Sequence, residues 1–396
     1  MEKLRLGVIG VGSVVREIYR HLFFHSDYSH LLDIVAVADP NDAYRNWFCD
    51  TYGIPPERRF TDYADMLRAV ELDAVQVNTP DHLHAQPTVA ALEAGLDVLV
   101  PKPTAATLAD AHAMVEAAEK HGRILAVDFH KREDPRIKQC ETRYQSGRYG
   151  VLQTSVWYMI DKLLVADPNH DPPFFASPNF AEQNTPISFL TVHMCDALMK
   201  ITGLLPLEVR ATAYAHRLPH LTPRPVHGYD LCDTEIRFRG GALAHIITGW
   251  HLPNTAHATA VQSSRLICSQ GMIDLGLDQP GYHELHDDGI FEVNPLFLNV
   301  DRDGTVTGYG VASPGRLYQK ILAARNGQLA DEVRAELNSP MQLGIYTTMV
   351  CQGAEDSLRQ GRATSDGVTR GVPVDLEQLV REQLGPDVAS KYLQNP

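Results

Sequence analysis

A lysine held between two prolines is the first feature of the sequence that could do chemistry. Lys102 stands between Pro101 and Pro103, and such neighbours leave little backbone freedom. Partial burial lowers the pKa of an ammonium group, which suits it to proton transfer or to stabilising an alkoxide. The segment therefore predicts a catalytic lysine. The alternative is a solvated lysine in a rigid turn.

A histidine inside a predicted helix is the second feature. His193 lies in the segment 188–202, which reads as a helix that ends at Gly203, and Asp196 follows three residues later. Residues at this spacing lie on one face of a helix. Because histidine titrates near neutral pH, His193 could accept the proton of an alcohol. The alternative is a partly buried histidine whose hydrogen bonds are satisfied by Asp196.

A glycine-rich loop joins the first predicted strand to the first predicted helix, with the sequence Gly10-Val11-Gly12-Ser13-Val14-Val15. Glycines at these places allow a tight turn and the close approach of a pyrophosphate to the backbone. The amides that open the helix, at Ser13 and Val14, would then bind the phosphate. Val15 stands where a third glycine is expected, so the motif is incomplete.

The end of the second predicted strand supports a dinucleotide site. Asp39 is placed there to accept hydrogen bonds from the ribose hydroxyls. Its carboxylate would repel a 2′-phosphate, so NAD is favoured over NADP, unless Arg45 folds back to offset the charge. The alternative is a pair of turn glycines and an aspartate that caps a helix.

The loop after the third predicted strand is the other candidate contact to the cofactor. It contains Asn78, Thr79, Pro80 and His84. Ligands of open α/β sheets bind outside the carboxyl ends of the strands, so this loop should face a dinucleotide. The alternative is a proline turn in which Asp81 caps the next helix.

The elements around these motifs change in type near residue 130. Before it, short apolar strands alternate with helices, which predicts βαβ units and a parallel sheet covered on both faces. The predicted strands are 4–10, 34–39, 74–78, 98–100 and 124–129, and the predicted helices are 14–24, 89–94 and 107–121. After it, longer strands of mixed polarity predict an antiparallel sheet. Those strands are 153–159, 208–216, 234–238 and 242–248, and a late helix covers 341–359.

The fold class predicted from this pattern is α/β, with a dinucleotide-binding domain at 1–128 and a second domain at 129–396. The length of 396 residues agrees with two domains. The polar tail from about residue 360 could either fold back on the second domain or stay mobile.

Composition narrows the possible partners and compartments. The net charge of −14 argues against nucleic acid. No run of about 18 apolar residues predicts a membrane span, and no signal peptide is recognised at the N-terminus. The six scattered cysteines indicate neither a zinc cage nor disulfides, so a cytoplasmic protein without a metal is expected.

Residues 299–310 imitate a calcium loop, but Gly310 replaces the required glutamate, so a hairpin turn is expected.

The order of these motifs resembles the glucose–fructose oxidoreductase / inositol dehydrogenase / rhizopine catabolism (Gfo/Idh/MocA) family. The resemblance is dense over the first 135 residues and thinner afterwards. It is carried by the segments VIGVGSVV, AVADP, NTPDHLH, AALEAGLDVLVPKPTAATLADA, VDFHKREDP and TVHMCDALMKITG. It implies a Rossmann domain followed by an α/β domain with a large open, mainly antiparallel sheet that commonly mediates dimers or tetramers. It also implies sugars, sugar acids, cyclitols or related polyols as substrates.

The resemblance assigns roles to particular residues. Lys102 matches the lysine of the family's Glu-Lys-Pro motif, and His193 matches its catalytic histidine. Arg132 matches an Arg-x-x-Pro element after the fifth strand. The residues matching its cofactor loop are Thr79, Pro80 and His84.

Three positions depart from the family pattern. Pro101 replaces a glutamate, Val15 replaces a small residue, and Phe189 replaces an aspartate that many relatives carry four residues before the histidine. That aspartate helps to bind a substrate hydroxyl. A phenylalanine offers an apolar wall or a stacking face instead.

The resulting hypothesis is an NAD(P)-dependent oxidoreductase that acts on a sugar, cyclitol or related polyol as a homodimer or homotetramer. His193 would accept the hydroxyl proton and Lys102 would stabilise the alkoxide, while Arg132, Tyr158 and Phe189 would contact the substrate. One alternative keeps the fold but makes it an NAD-assisted glycoside hydrolase or lyase. Another is a binding-only relative.

Overall fold

The computed structural model describes residues 3–175, 179–277, 282–287, 289–292 and 294–393. The chain forms two compact units, each built from two segments. The first unit consists of Met1–Glu133 and Leu296–Thr348, and the second of Asp134–Pro295 and Met349–Pro396. The first crossing lies five residues beyond the expected boundary at residue 128. The return of the later segment to the first unit is a feature that the sequence did not indicate.

The strands are numbered in chain order. In the described part of the chain they are β1 (Leu4–Ile9), β2 (Leu32–Ala38), β3 (Arg59–Phe60), β4 (Ala74–Val77), β5 (Asp97–Pro101), β6 (Leu125–Asp128), β7 (Leu152–Lys162), β8 (Pro206–Tyr214), β9 (Leu231–Phe238), β10 (Leu243–Leu252), β11 (Ala260–Cys268), β12 (Gly271–Gly276), β13 (His283–His286), β14 (Gly289–Glu292), β15 (Asn299–Val300), β16 (Val306–Thr307), β17 (Arg362–Ala363), β18 (Val368–Arg370) and β19 (Val374–Asp375).

The α-helices are numbered in the same way. Those of the described residues are α1 (Arg20–Phe24), α2 (Asp42–Tyr52), α3 (Tyr63–Ala69), α4 (Ala85–Glu93), α5 (Leu108–His121), α6 (Pro135–Gln145), α7 (Phe180–Gln183), α8 (Val192–Thr202), α9 (Tyr309–Arg325), α10 (Ala330–Leu337), α11 (Ile345–Arg359), α12 (Leu376–Leu384) and α13 (Pro386–Leu393). One π-helical turn at Val15–Tyr19 precedes α1, and another at Ile187–Thr191 precedes α8.

The first unit contains the predicted parallel sheet. Its six strands have the order β3-β2-β1-β4-β5-β6, and all of the pairings are parallel. Strands β4 and β6 are buried along their whole length, which explains their mainly apolar sequences. The order reverses between β1 and β4, as in a doubly wound sheet. The loops that follow β1, β2, β4 and β5 therefore lie at one edge of the sheet, which is hereafter called the nucleotide edge.

The returning segment is tied to this sheet through helix α9. Ser313 donates to Asp128 at 2.5 Å, and Tyr318 donates to Gln76 at 2.7 Å. At the end of the helix, Arg325 pairs with Asp97 at 3.2 Å. The helix is thus bonded to side chains of β4, β5 and β6, which makes the segment an integral part of the first unit.

The second unit contains a mixed sheet of the described strands, in the order β12-β11-β7-β10-β9-β8-β18-β17, with β19 also paired to β8. The pairing of β7 with β10 is parallel and the others are antiparallel. Side chains alternate between the two faces. Trp157 of β7 and Trp250 of β10 are buried on one face, where Thr248 bonds to Thr191 of the helical segment. The opposite face is more exposed.

The tail folds back on the second unit, which was one of the two expectations for it. Strands β18 and β19 pair with β8, and α12 packs against the same strand. The calcium-like sequence forms the expected hairpin turn. Strands β15 and β16 pair antiparallel, and Gly304 donates to the carbonyl of Asp301 at 2.9 Å.

Candidate functional site

The two glycines of the nucleotide edge differ in what surrounds them. Gly10 has a φ of +84°, and a Cβ added to it would lie 2.8 Å from the carbonyl oxygen of Asn78. Its position is therefore dictated by the packing of the protein itself. No atom lies within 4 Å of a Cβ built on Gly12. The space beside Gly12 can take a ligand, which agrees with the role predicted for this loop.

The segment after Gly12 turns into the helix without a third glycine. Ser13 and Val14 are half-buried, and Arg16 donates its amide to the carbonyl of Gly12 at 3.1 Å. Val15 is fully buried in the apolar core of the first unit. The departure from the motif at this position is thus accommodated because the side chain packs inward.

Asp39 links the glycine loop to the end of β2. Its carboxylate accepts the amide of Val11 at 2.8 Å and that of Asn41 at 2.7 Å. Arg45 folds back onto this segment, donating to the carbonyl of Asp39 at 2.5 Å and to Asp42 at 2.5 Å. The charge of Arg45 is therefore already paired within its own helix.

The loop after β4 has one polar group placed for a ligand. Asn78 donates to the carbonyl of Gly10 at 3.3 Å and accepts from Gln76 at 2.9 Å, so it braces the glycine loop. The hydroxyl of Thr79 is buried, with no hydrogen-bond partner among the described residues. Buried polar atoms are rarely left without a partner. Together with the space beside Gly12, this hydroxyl fits a bound dinucleotide.

His84 was expected to contact the cofactor, but both of its ring nitrogens face carbonyl oxygens of the protein. The ring is fully buried. Its Nε2 lies 2.9 Å from the carbonyl of Thr79, and its Nδ1 lies 3.0 Å from that of Pro103. Each nitrogen thus lies within hydrogen-bond distance of a backbone acceptor. The ring braces the loop after β4 against the Lys102 loop.

Lys102 lies in the loop that follows β5, at the nucleotide edge. Its amide donates to the carbonyl of Asp128 at 3.3 Å. His130 stacks on Tyr309, with 6.0 Å between the ring centroids. Burial, together with the charges of Lys131 and Lys102, lowers the pKa of His130 to about 3. The imidazole near Lys102 is therefore neutral at physiological pH.

Asp128 is a buried carboxylate at this edge that the sequence reasoning missed. Its oxygens accept from Tyr19 at 2.8 Å and from Ser313 at 2.5 Å. Burial raises its pKa to about 6, although the two hydrogen bonds act in the opposite direction. The available signal was an acidic residue at the end of an apolar strand, which is the same signal that singled out Asp39.

Arg132 was expected to bind substrate, but its described contacts belong to the protein. Its guanidinium donates to the carbonyls of Met341 at 2.8 Å and Gln342 at 3.0 Å. It also lies 4.4 Å from the ring centroid of Phe129. Arg132 therefore positions the returning segment within the first unit, and its contact with substrate stays a prediction.

His193 lies on helix α8 of the second unit, and the turn before this helix is hydrogen-bonded to the sheet. His193 and Asp196 are both buried on α8, and Gly203 ends the helix in a left-handed conformation. The preceding π-helical turn is fixed to β10. Thr191 bonds to Thr248 at 2.9 Å, and the latter donates to the carbonyl of Pro186 at 3.1 Å. Single π turns occur frequently at functional sites.

Phe189, inside the π turn, lies in a row of aromatic rings. Its ring centroid is 5.0 Å from that of Phe180 and 5.8 Å from that of Trp250. Phe175 stacks on Phe180 at 4.1 Å, and Phe174 follows at 4.9 Å. The apolar surface expected at position 189 is thus larger than one side chain. We call these five residues the aromatic strip.

Tyr158, which was predicted to contact substrate together with His193, lies on the face of the sheet opposite to the segment that carries His193. It pairs with Ile247 and Ser263 on the more exposed face of the sheet and is 40% exposed. The segment that carries His193 packs on the other face, as the Thr191–Thr248 bond shows. The acid on the helix-bearing face of the same strand is Asp161, which is buried.

Two kinds of feature, a membrane-spanning helix and a metal-ligand cluster, are absent from the described residues. No helix among them is long and apolar enough to cross a membrane. No three of their histidine, cysteine, aspartate or glutamate side chains come together as metal ligands would.

Comparison with known proteins places these motifs in a family. The model of an oxidoreductase family with an NAD-binding Rossmann fold, Gfo/Idh/MocA, matches residues 4–129. This segment of the chain is therefore similar to the NAD-binding domain of that family. The match covers the nucleotide edge from β1 to the end of β6, which is the part of the chain where the resemblance was dense.

Curated relatives from this family extend the match in part. The chain is 30% identical over 201 residues to D-glucoside 3-dehydrogenase of Escherichia coli K12, covering 50% of this chain and 54% of that protein. It is 29% identical over 148 residues to inositol 2-dehydrogenase of Salmonella paratyphi B, covering 37% and 43%. The chain thus spans about half the length of the curated relatives it matches.

The likeness in structure extends further than the likeness in sequence. An inositol dehydrogenase homologue of Azotobacter vinelandii, solved as a complex with NAD⁺, matches with a TM-score of 0.71 at 20% identity. The match covers 94% of this chain and 97% of that one. The fold that the two proteins share therefore extends over nearly the whole of this chain.

Proposed function

We propose that this protein is an NAD-dependent dehydrogenase that oxidises a secondary alcohol of a carbohydrate-like substrate. The observation that carries the proposal is the nucleotide edge, where the open space beside Gly12 and the buried hydroxyl of Thr79 adjoin the Lys102 loop. D-glucoside 3-dehydrogenase and inositol 2-dehydrogenase, which resemble this chain over about half their length, support a cyclic polyol as substrate.

NAD is the dinucleotide that these residues fit best. The amides of Ser13 and Val14, next to Gly12, would receive the pyrophosphate, and Thr79 would donate to the cofactor. Asp39 keeps lone pairs for the ribose hydroxyls, because a carboxylate accepts about four hydrogen bonds and two are used here. Arg45 is paired with Asp42, so it offers little to a 2′-phosphate.

The chemical roles divide between two side chains. When bound, the nicotinamide supplies the hydride acceptor. We assign to His193 the acceptance of the hydroxyl proton through its imidazole, and to Lys102 the stabilisation of the alkoxide by its ammonium group. The hydroxyl oxygen loses a proton and the carbon loses a hydride, so that the alcohol becomes a carbonyl. His84 acts indirectly, because it holds the loop after β4 against the Lys102 loop. Arg132 holds the returning segment in place.

The proposal is tested by following NADH absorbance with a set of sugars, glycosides and cyclitols, each offered with NAD and with NADP. We expect NADH formation with at least one member of the set and weaker activity with NADP. Each active substrate is repeated with Lys102→Ala, which controls for contaminating dehydrogenases. Absence of reduced cofactor with every compound would contradict the proposal. Glycoside cleavage without net NADH would point to the redox-assisted hydrolase or lyase instead.

We further infer a homodimer or homotetramer that forms through the exposed face of the second sheet. This face carries Tyr158, Ile267 and Met272, the last being 51% exposed, and large exposed apolar patches mark association surfaces. Sedimentation of Ile267→Lys should show smaller particles than the wild type. An unchanged mass would rule out this face.

We also infer a reducing compartment, such as the cytoplasm. All six cysteines are free thiols, and five of them are buried. Proteins of oxidising compartments more often pair their cysteines.

A further inference from the structure

The aromatic strip extends from the π-helical turn that precedes α8 to the protein surface. Trp250 is 1% exposed, Phe189, Phe180 and Phe175 are half-buried, and Phe174 is 44% exposed. Consecutive rings lie 4.1 to 5.8 Å apart between centroids, with stacked, edge-on and tilted geometries. Such distances are those of attractive ring contacts. The strip is therefore a continuous apolar surface with an accessible outer end.

The inner end of the strip is fixed near His193. Phe189 lies four residues before His193, about one helical turn away. The turn that carries Phe189 is anchored to the sheet by Thr191 and Thr248, and Phe189 donates its amide to the carbonyl of Thr185 at 3.1 Å. A group bound on the strip would thus lie next to an alcohol held at His193, within the second unit alone.

The chemistry of the strip selects against hydroxyl groups. A phenyl ring neither donates nor accepts conventional hydrogen bonds, so a sugar hydroxyl placed against Phe189 would lose its water without gaining a partner. An apolar substituent gains contact area at the same place. In addition, the buried indole N–H of Trp250 has no hydrogen-bond acceptor among the described residues, which leaves one donor at the inner end for a ligand oxygen.

We propose that the aromatic strip binds the apolar aglycone of a glycoside, and that the substrates of this enzyme are aryl or long-chain alkyl glycosides rather than free sugars or cyclitols. This inference rests on the proposed function, because it takes His193 as the base. It adds the substrate class: the sugar ring lies at His193, and the aglycone extends along Phe189 and Phe180 towards Phe174.

The experiment compares phenyl, octyl and methyl glycosides of one sugar. Binding to the NADH-loaded protein is measured by calorimetry, and oxidation is measured with NAD. We expect the phenyl and octyl compounds to bind about 10- to 100-fold more tightly than the methyl compound, with a similar ratio in kcat/KM, since apolar groups in pockets discriminate on this scale. Equal affinities for all three glycosides would overturn the proposal.

Three variants show whether the strip causes the preference. Phe189→Asp should lower the phenyl-to-methyl ratio to near one, while Phe189→Leu, which keeps an apolar side chain, should retain part of it. Tyr282→Ser, at an exposed aromatic side chain outside the strip, is the control and should show the wild-type ratio. Retained affinity for NADH identifies the variants that are folded. A wild-type ratio in folded Phe189→Asp would also overturn the proposal.

The two measurements separate this proposal from the proposed function. Tight binding of phenyl glycosides with no oxidation would support the strip and contradict the dehydrogenase. Oxidation with equal affinities for the three glycosides would support the dehydrogenase and would contradict the binding of an aglycone by the strip. Absence of both binding and oxidation would contradict both.

Discussion

The nucleotide edge and the region around His193 differ in the chemical groups that form them. At the nucleotide edge, Asp39, Asn78 and His84 each bond to backbone groups of a neighbouring loop. Around His193, the chain carries Phe189, whose ring contacts those of Phe180 and Trp250. The first region fixes the position of the main chain, whereas the second presents a side-chain surface. This difference suggests that the cofactor is selected by backbone geometry and the substrate by exchangeable side chains.

The largest expected effect comes from the glycine pair of the nucleotide edge. Gly10→Ala places a methyl group 2.8 Å from the Asn78 carbonyl, at a positive φ. We expect it to destabilise the protein by at least about 2 kcal/mol and to abolish NAD binding. Thermal unfolding and calorimetry with NAD measure the two effects.

Gly12→Ala is the control that sharpens this comparison. Its methyl group meets no protein atom within 4 Å, so unfolding should change little. The same methyl group enters the space assigned to the cofactor, so NAD affinity should fall by about 10- to 100-fold. Wild-type affinity in Gly12→Ala would show that the cofactor does not approach this loop.

The next effect concerns whether charge or hydrogen bonding holds the nucleotide edge together. The pKa of Asp128 is about 6 in the folded protein, above its ordinary value of 3.8, because the group is buried. The folded state therefore takes up a proton at higher pH than the unfolded state. The resulting stability is fully present below about pH 4 and is lost as the pH rises through 6.

Asp128→Asn should remove this pH dependence, because asparagine can still bond to Tyr19 and Ser313. At pH 7.5 we expect the variant to be more stable than the wild type by up to about 3 kcal/mol, and the difference should shrink as the pH falls to 4. Urea unfolding at several pH values measures it. A difference that is constant with pH would show that the ionisation of Asp128 does not affect stability.

The smallest effect concerns cofactor preference. Asp39→Asn removes the negative charge that disfavours a 2′-phosphate, and it also weakens one of the bonds to Val11 and Asn41. We expect the affinity ratio of NADP to NAD to rise about tenfold, or about 1.4 kcal/mol. Calorimetry with both cofactors measures the ratio. If the ratio does not change, Asp39 does not face the ribose.

The parallel sheet could be predicted because its signals are local. An apolar strand that ends in glycine or aspartate fixes both the element and its carboxyl end, and β1, β2, β4, β5 and β6 lie where they were expected. Helix α9 was missed because its contacts with Asp128 and Gln76 come from residues far away in the sequence. Its sequence contains Pro314, which argues against a helix.

The surroundings of several predicted site residues could not be predicted for one physical reason, which is that a residue's type does not reveal its partner. Tyr158 lies on a correctly placed strand, but alternation alone does not tell which face a helix covers. Arg132 and His84 were placed at the right edge, yet carbonyl groups of the protein occupy their donors. Phe189 was recognised as apolar from the sequence, while the contacts of its ring with Phe175, Phe180 and Trp250 depend on the tertiary fold.

The central proposal is that His193 accepts the hydroxyl proton and that Lys102 stabilises the alkoxide, and a double-mutant cycle tests it most directly. Turnover is measured with the best substrate for the wild type, Lys102→Ala, His193→Ala and the double variant, with NADH affinity as the folding control. We predict that each single variant lowers kcat by about 10²- to 10⁴-fold and that the double variant loses little more than the worse single one. Losses that multiply, or wild-type turnover in either single variant, would contradict the account.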